Sequence, residues 1–233
     1  MNILITGASR GIGAAAYALL QKHGNRVLGH STKGSDVLIA GDLSDPAAPR
    51  RIWETALAEL GQIDVLVNNA GIYEGIADNA TDDEWHHAWA RTMTINLQAA
   101  ADLSKLAISQ FLDLGIPGRI VNTASRASYR GDSPQHWHYA ASKAGMVGMT
   151  KTIARGYASE GILCFAVAPG FTVSEMTADY LQGRGGAQIV ADIPLGRVAS
   201  TDEVAEVIRW LATEAPASAT GSVVDVNGAS YVR

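Results

Sequence analysis

Asn2-Ile3-Leu4-Ile5-Thr6-Gly7-Ala8-Ser9-Arg10-Gly11-Ile12-Gly13 sets the fold of this chain. Residues 2–6 are an apolar run and predict a short strand. Residues 14–23 are rich in alanine and predict a helix. Between them lies a turn with glycines at 7, 11 and 13. Strand, glycine turn and helix together make a phosphate cradle. Glycine lets the backbone approach a ligand closely, and the helix N-terminus offers free N–H groups and the positive end of its dipole. The spacing is Gly-x-x-x-Gly-x-Gly rather than Gly-x-Gly-x-x-Gly, but it stands in the strand–turn–helix setting that dinucleotide binding requires.

The second strand, 26–31, ends in His30-Ser31-Thr32-Lys33 with no carboxylate. An acid there would hold a ribose 2′-hydroxyl and repel a 2′-phosphate; hydroxyls and a lysine would accept the phosphate. Arg10 adds a second cation. This favours NADP(H) over NAD(H), with NAD(H) left open. Lys33 also reads as a solvated turn residue ahead of Gly34.

Further strands are predicted at 37–40, 64–67, 119–123, 162–168 and 222–226. Helices are predicted at 46–60, 82–113, 139–159 and 202–213. Nearly every strand is a continuous apolar run, and strands alternate with helices. That predicts an α/β fold with a parallel sheet buried on both faces. Trp85, Trp89, Met93 and Leu97 recur at helical spacing and predict a core stripe. Asn96 interrupts them; asparagine is unfavourable inside a helix, so it is there for its polar group. No linker or repeat divides residues 1–233, which predicts a single domain. The irregular stretch 171–198 is a candidate lid over the ligand.

Chemistry concentrates between 120 and 148. A β-branched strand runs to Ser125, and a helix then opens with Tyr139-Ala140-Ala141-Ser142-Lys143. Tyr139 and Lys143 stand four apart, on one helical face. A free tyrosine has a pKa of about 10, too high for a base at neutral pH. A nearby ammonium would lower it, so Tyr139 would exchange a proton with an alcohol or a forming alkoxide while Ser125 holds the same oxygen.

Composition narrows the classes. With 47% hydrophobic and 18% charged residues in 233, the chain suits a soluble core-forming protein. A net charge of −5 offers no basic face for nucleic acid or an anionic membrane. No apolar run reaches the roughly 20 residues of a membrane helix, and the N-terminus lacks signal-peptide features. The single cysteine, Cys164, lies in an apolar run and forms no internal disulfide, which suits a reducing cytoplasm. The six histidines show no ligand spacing, so no metal site is expected.

The ordered set Thr6-Gly7-x-x-x-Gly11-Ile12-Gly13, Asp42-Leu43, Asn68-Asn69-Ala70-Gly71, Asn96, Ser125, Tyr139-x-x-x-Lys143 and Pro169-Gly170 resembles the short-chain dehydrogenases/reductases. The resemblance spans essentially the whole chain. It implies a Rossmann-like, doubly wound sheet of about seven parallel strands in three α/β/α layers, hydride transfer with a nicotinamide cofactor, and commonly a homo-tetramer or homo-dimer. On that pattern Tyr139 is the general acid/base, Lys143 lowers its pKa and holds the nicotinamide ribose, Ser125 positions the substrate oxygen, and Asn96 supports a water. Gly7, Ser9, Arg10, Gly11, Ile12 and Gly13 would cradle the pyrophosphate, and Ser31, Thr32 and Lys33 would face the 2′-position. Asp42 and Leu43 would meet the adenine, and Asn69, Ala70 and Gly71 the adenosine side. Pro169, Gly170 and the backbone to Thr172 would meet the carboxamide.

The chain departs from the pattern in places. Ser125 to Tyr139 is one residue longer than usual, Phe165 stands where the family often has asparagine, Ser174 stands where a threonine usually follows Pro-Gly, and Gly228-Ala229 replaces Gly-Gly. Within the family the chain resembles 3-oxoacyl-[acyl-carrier-protein] reductases, including Gly29-His30-Ser31-Thr32. Those enzymes carry basic residues just before two glycines, where this chain has Ile116 and Glu160, so steering toward an acidic carrier is weakened. The expected activity is a carbonyl reductase or secondary-alcohol dehydrogenase for a small free substrate. Arg126 and Arg130 either face a polar group of that substrate or are solvated. A non-catalytic NADP(H)-binding sensor is the reading of another class; such proteins usually lack the tyrosine or the lysine, and both are present.

Overall fold

The structure, a computed structural model, describes residues 1–172 and 186–233. β1 (Asn2–Ile5) runs into the glycine turn, and α1 (Gly11–Lys22) starts inside it, three residues earlier than composition suggested. β2 (Arg26–Ser31), β3 (Leu38–Ala40), α2 (Ala48–Leu60) and β4 (Val65–Asn68) follow. The long helical stretch comes next, in three parts: α3 (Asp82–Met93), a π-helical turn at Thr94–Gln98, and α4 (Ala99–Leu114). β5 (Gly118–Thr123), α5 (Ala127–Arg130), α6 (Trp137–Tyr157) and β6 (Ile162–Pro169) carry the chemistry-rich stretch. α7 (Gly186–Ala191), α8 (Thr201–Thr213) and β7 (Val223–Val226) complete the order.

The strands form one seven-stranded sheet in the order β3-β2-β1-β4-β5-β6-β7, with every pairing parallel. Successive side chains on a strand point to opposite faces, and here both faces are covered. Leu4, Leu66, Ile120 and Cys164 join one core with Ile52, Trp53, Leu103 and Phe111 of α2 and α4. Ile3, Ile5, Val65, Val67, Val121 and Phe165 join the other with Ala16 and Leu20 of α1 and Val204, Ile208 and Leu211 of α8. That is why the strands read as unbroken apolar runs: each alternate residue meets its own helical layer. Phe165, at the family's usual asparagine position, is fully buried, and the Arg119 guanidinium lies 5.9 Å from its ring.

The tryptophan stripe does not join the core. Trp85, Trp89, Met93 and Leu97 are half-buried, and none belongs to either core. α3 packs beside α6 rather than over the sheet: Trp85 meets Trp137 edge-on at 5.2 Å, and Trp89 lies 5.9 Å from His138. Of the proposed lid at 171–198, residues 173–185 lie outside the described residues; after them come α7 and a bridge pairing Thr172 with Ala199. Ala229 adopts φ 65°, a left-handed conformation that suits the glycine the family usually has there. Among the described residues, no helix is long and apolar enough to cross a membrane.

Candidate active site

The strand order reverses about β1: β2 and β3 lie to one side, β4 to the other. Ligands of such sheets bind beyond the carboxyl ends of the strands at that switch point. A cavity of about 960 Å³ opens there, at the upper end of the range for ligand sites.

Its floor is the glycine turn. Gly7 has φ +68°, and a Cβ on it would come within 2.8 Å of Ala70 Cα. A Cβ on Gly13 would stand 2.0 Å from the Gly7 carbonyl oxygen. The turn is thus folded so tightly on itself that only backbone can form this wall. Asn69 holds it, with Nδ2 donating to the carbonyls of Thr6 at 3.1 Å and Gly7 at 3.2 Å. His30 pins it from β2: Nε2 lies 2.8 Å from the Gly41 carbonyl, and the Gly7 N–H donates to Nδ1 at 3.4 Å, which leaves Nε2 to carry the proton. Burial lowers the His30 pKa, against the Gly41 bond.

The chemical end is built from β5 and α6. β5 delivers Ser125, whose Oγ accepts from the Ala127 N–H at 3.1 Å. The next residue is tied to the end of β6, Arg126 N–H donating to the Pro169 carbonyl at 2.9 Å. α6 starts two residues before Tyr139, so Tyr139 and Lys143 share one face over the cavity. Tyr73 packs edge-on against the Tyr139 ring at 4.8 Å and stacks on His136 at 3.9 Å. Lys143 is buried, and its Nζ donates to the Thr123 carbonyl at 2.8 Å. A Cβ on Gly71 would stand 3.3 Å from Asn96 Oδ1 and 3.4 Å from Nζ, so the wall packs closely on both.

The expected depression of the phenol does not occur in this structure. Burial pushes the Tyr139 pKa up to about 12, although the hydrogen bond with Ser125 pulls it down. Burial pushes Lys143 down to about 8. The physical reason is shared: both groups lose water, which penalises each charge. Moreover Lys143 Nζ sits 5.9 Å from the phenol ring centroid and is engaged by Thr123.

Gly7, Ser9, Arg10, Gly11, Ile12, Gly13, Ser31, Thr32, Asp42, Leu43, Asn69, Ala70, Gly71, Ser125, Tyr139, Lys143, Pro169, Gly170 and Thr172 all line this one cavity. Lys33 does not; it is exposed on the turn beyond Thr32, as its alternative reading had it. Asn96 is fully buried behind the wall. Its Oδ1 accepts from the Ile72 N–H at 2.8 Å, and its Nδ2 donates to the Ile72 carbonyl at 3.0 Å and to Ser142 Oγ at 3.3 Å. The π turn places it there; such single-turn bulges recur at functional sites. Tyr73, Arg91, Phe171 and Asp192 also line the cavity and had no motif to announce them. Asp42 keeps its carboxyl below the usual range, chiefly through the Ser44 N–H at 2.9 Å and hydroxyl at 2.8 Å.

A cradle of bare backbone at a helix start, continuous with a tyrosine, a serine and a lysine, fits a nicotinamide dinucleotide. The comparisons agree. Residues 7–229 match the family described as Enoyl-(Acyl carrier protein) reductase. The chain is 36% identical over 242 residues to the 3-oxoacyl-[acyl-carrier-protein] reductase FabG of Salmonella typhimurium, covering 98% of this chain and 96% of that protein. The Escherichia coli FabG matches equally well, at 36% over 242 residues. Among solved structures, a short-chain dehydrogenase from Burkholderia cenocepacia in complex with NADP superposes with a TM-score of 0.88 at 27% identity, covering 98% of this chain and 97% of that one. The aldohexose dehydrogenase of Thermoplasma acidophilum, ligand-free, gives 0.87 at 27% identity, covering 100% and 94%. The chain therefore belongs to the short-chain dehydrogenase/reductase family, as an oxidoreductase that works between CH–OH and C=O groups with a nicotinamide cofactor.

Proposed function

We propose that this chain is an NADP(H)-preferring carbonyl reductase, or secondary-alcohol dehydrogenase, for a small free substrate, with Tyr139 as general acid/base. The observation that carries the reading is the meeting of Ser125, Tyr139 and Lys143 in the cavity that the glycine turn floors. When bound, the nicotinamide supplies the hydride in reduction and accepts it in oxidation. Tyr139 gives its proton to the carbonyl oxygen as the carbon gains hydride, so C=O becomes CH–OH; oxidation runs the same transfers backwards. Ser125 shares the oxygen's developing charge. Lys143 adds positive charge beneath the phenol. Asn96 is a positioning residue, locking Ile72 of the cavity wall to Ser142 of α6.

Preference for NADP(H) is supported by Arg10, Ser31 and Thr32 lining the cavity with no carboxylate at the β2 end. A homo-dimer or homo-tetramer is supported by the exposed small residues Ala141, Ala144 and Gly148 on α6 beside the half-buried tryptophans of α3. A cytoplasmic home is supported by the free, buried Cys164. A second reading, reduction of 3-oxoacyl groups on a carrier protein, is favoured by the 36% identity to FabG. Against it, the exposed Glu160 puts an acid where those enzymes are basic.

The test is oxidation of NADPH, and of NADH, by purified protein with diketones, ketones and oxoacyl thioesters. Tyr139→Phe is expected to lower kcat by about 10²–10⁴-fold, the usual worth of a positioned proton donor, with cofactor binding retained. Full activity in that variant overturns the mechanism. Tight NADPH binding without turnover on any carbonyl supports a sensor instead.

A further inference from the structure

Arg126 follows the catalytic Ser125 directly and lines the same cavity, with its side chain only 13% exposed. Its guanidinium stacks 4.8 Å over the Phe171 ring. Among the described residues it donates no side-chain hydrogen bond, and its enclosed Nη1 has no acceptor. The Asp192 carboxylate is in salt-bridge range at 3.9 Å, beyond hydrogen-bond reach, and it is already taken by Arg130, whose Nη1 donates to the same oxygen. A guanidinium nitrogen enclosed without an acceptor is costly, and a planar carboxylate is the best-matched partner of that group.

We propose that Arg126 selects the substrate: a small oxo acid, or the corresponding hydroxy acid, whose carboxylate it binds while Ser125 and Tyr139 hold the oxo oxygen. The inference rests on the function proposed above and narrows it. A neutral oxoacyl thioester would give Arg126 no charge to meet. Arg130 is paired with Asp192, and the Asp132 carboxylate, which accepts from the Tyr73 hydroxyl at 3.0 Å, adds a negative charge near Arg126 without bonding to it.

The experiment compares 2-, 3- and 4-oxo acids with their methyl esters as substrates, and the matching saturated acids as ligands of the NADPH-loaded protein. Wild type is expected to prefer at least one acid over its ester by about tenfold or more in kcat/KM. Arg126→Gln is expected to collapse that ratio toward unity and to weaken binding of the saturated acid by a similar factor. Arg126→Lys, which keeps the charge but not the fork, is expected to retain part of the preference and serves if the glutamine variant fails to fold. Equal turnover of acid and ester by wild type overturns the inference and leaves the oxidoreductase reading standing. If Arg126 merely latches Asp192, acid and ester will change together in the variants with their ratio fixed, which also overturns it. If no carbonyl of any kind is reduced, the proposed function fails, and saturated-acid binding that ignores Arg126 sinks this inference as well.

Discussion

Lys143 governs the pH response of the proposed chemistry. Its pKa is pushed down to about 8 by burial. The charged form is the protonated one, so the cation prevails below about 8 and is lost above it. Tyr139, pushed up to about 12, keeps its proton throughout that range. For reduction, kcat/KM reports the ionisations of the free enzyme. It is therefore expected to hold near neutrality and to decline above about pH 8, as measured by initial rates with NADPH. A profile that stays flat well above pH 8 would separate Lys143 from the reaction. The spacing of Tyr139 and Lys143 was readable from the sequence, because four helical residues make one turn whatever surrounds them. The sign of the tyrosine's shift was not, because desolvation depends on neighbours such as Tyr73, far away in the chain.

At the scale of elements, the floor of the site rests on a buried polar ladder. Asn68 on β4 donates to Asn122 on β5 at 2.9 Å and to Ser104 on α4 at 3.1 Å. Asn122 in turn donates to Thr150 on α6 at 2.9 Å. Four elements are thus joined beneath Ser125 and Lys143. Asn122→Ala would take one acceptor from the Asn68 amide and the donor from Thr150, both buried, and cost about 1–3 kcal/mol, a fall of roughly 2–10 °C in Tm for a protein of this size. Thermal unfolding followed by circular dichroism would show it, and an unchanged Tm would mean the ladder contributes nothing. Strands and helices were largely legible, since apolar runs and alanine-rich stretches mark them locally. The π turn was legible only as an awkward Asn96, and α5, inside a polar loop, left no periodic trace.

Across the whole molecule, pH and stability are linked through groups the fold has buried or bonded. His30, His136 and His138 all stand below their ordinary value of 6.5, each chiefly through burial. Below about pH 6.5 the unfolded chain takes up protons that the fold refuses, so stability falls there. Asp42, Asp45, Glu84, Asp192 and Glu203 are held low by hydrogen bonds. Their contribution is present above about pH 4 and is lost as pH drops through the folded values. Tm is therefore expected to fall in two stages, first below about 6.5 and again below about 4. A Tm that holds or rises from neutral pH to pH 5 contradicts the first stage.

The sequence by itself determined the parallel sheet, the glycine cradle and the shared face of Tyr139 and Lys143, since each is marked by residues close together in the chain. Only the tertiary structure decided that Lys33 stays outside the cavity, that the tryptophans of α3 leave the core, and that the half-buried Arg126 holds an enclosed Nη1 with no hydrogen-bond acceptor among the described residues. Those outcomes depend on which distant surfaces close over a side chain and strip its water, and no local spacing encodes that.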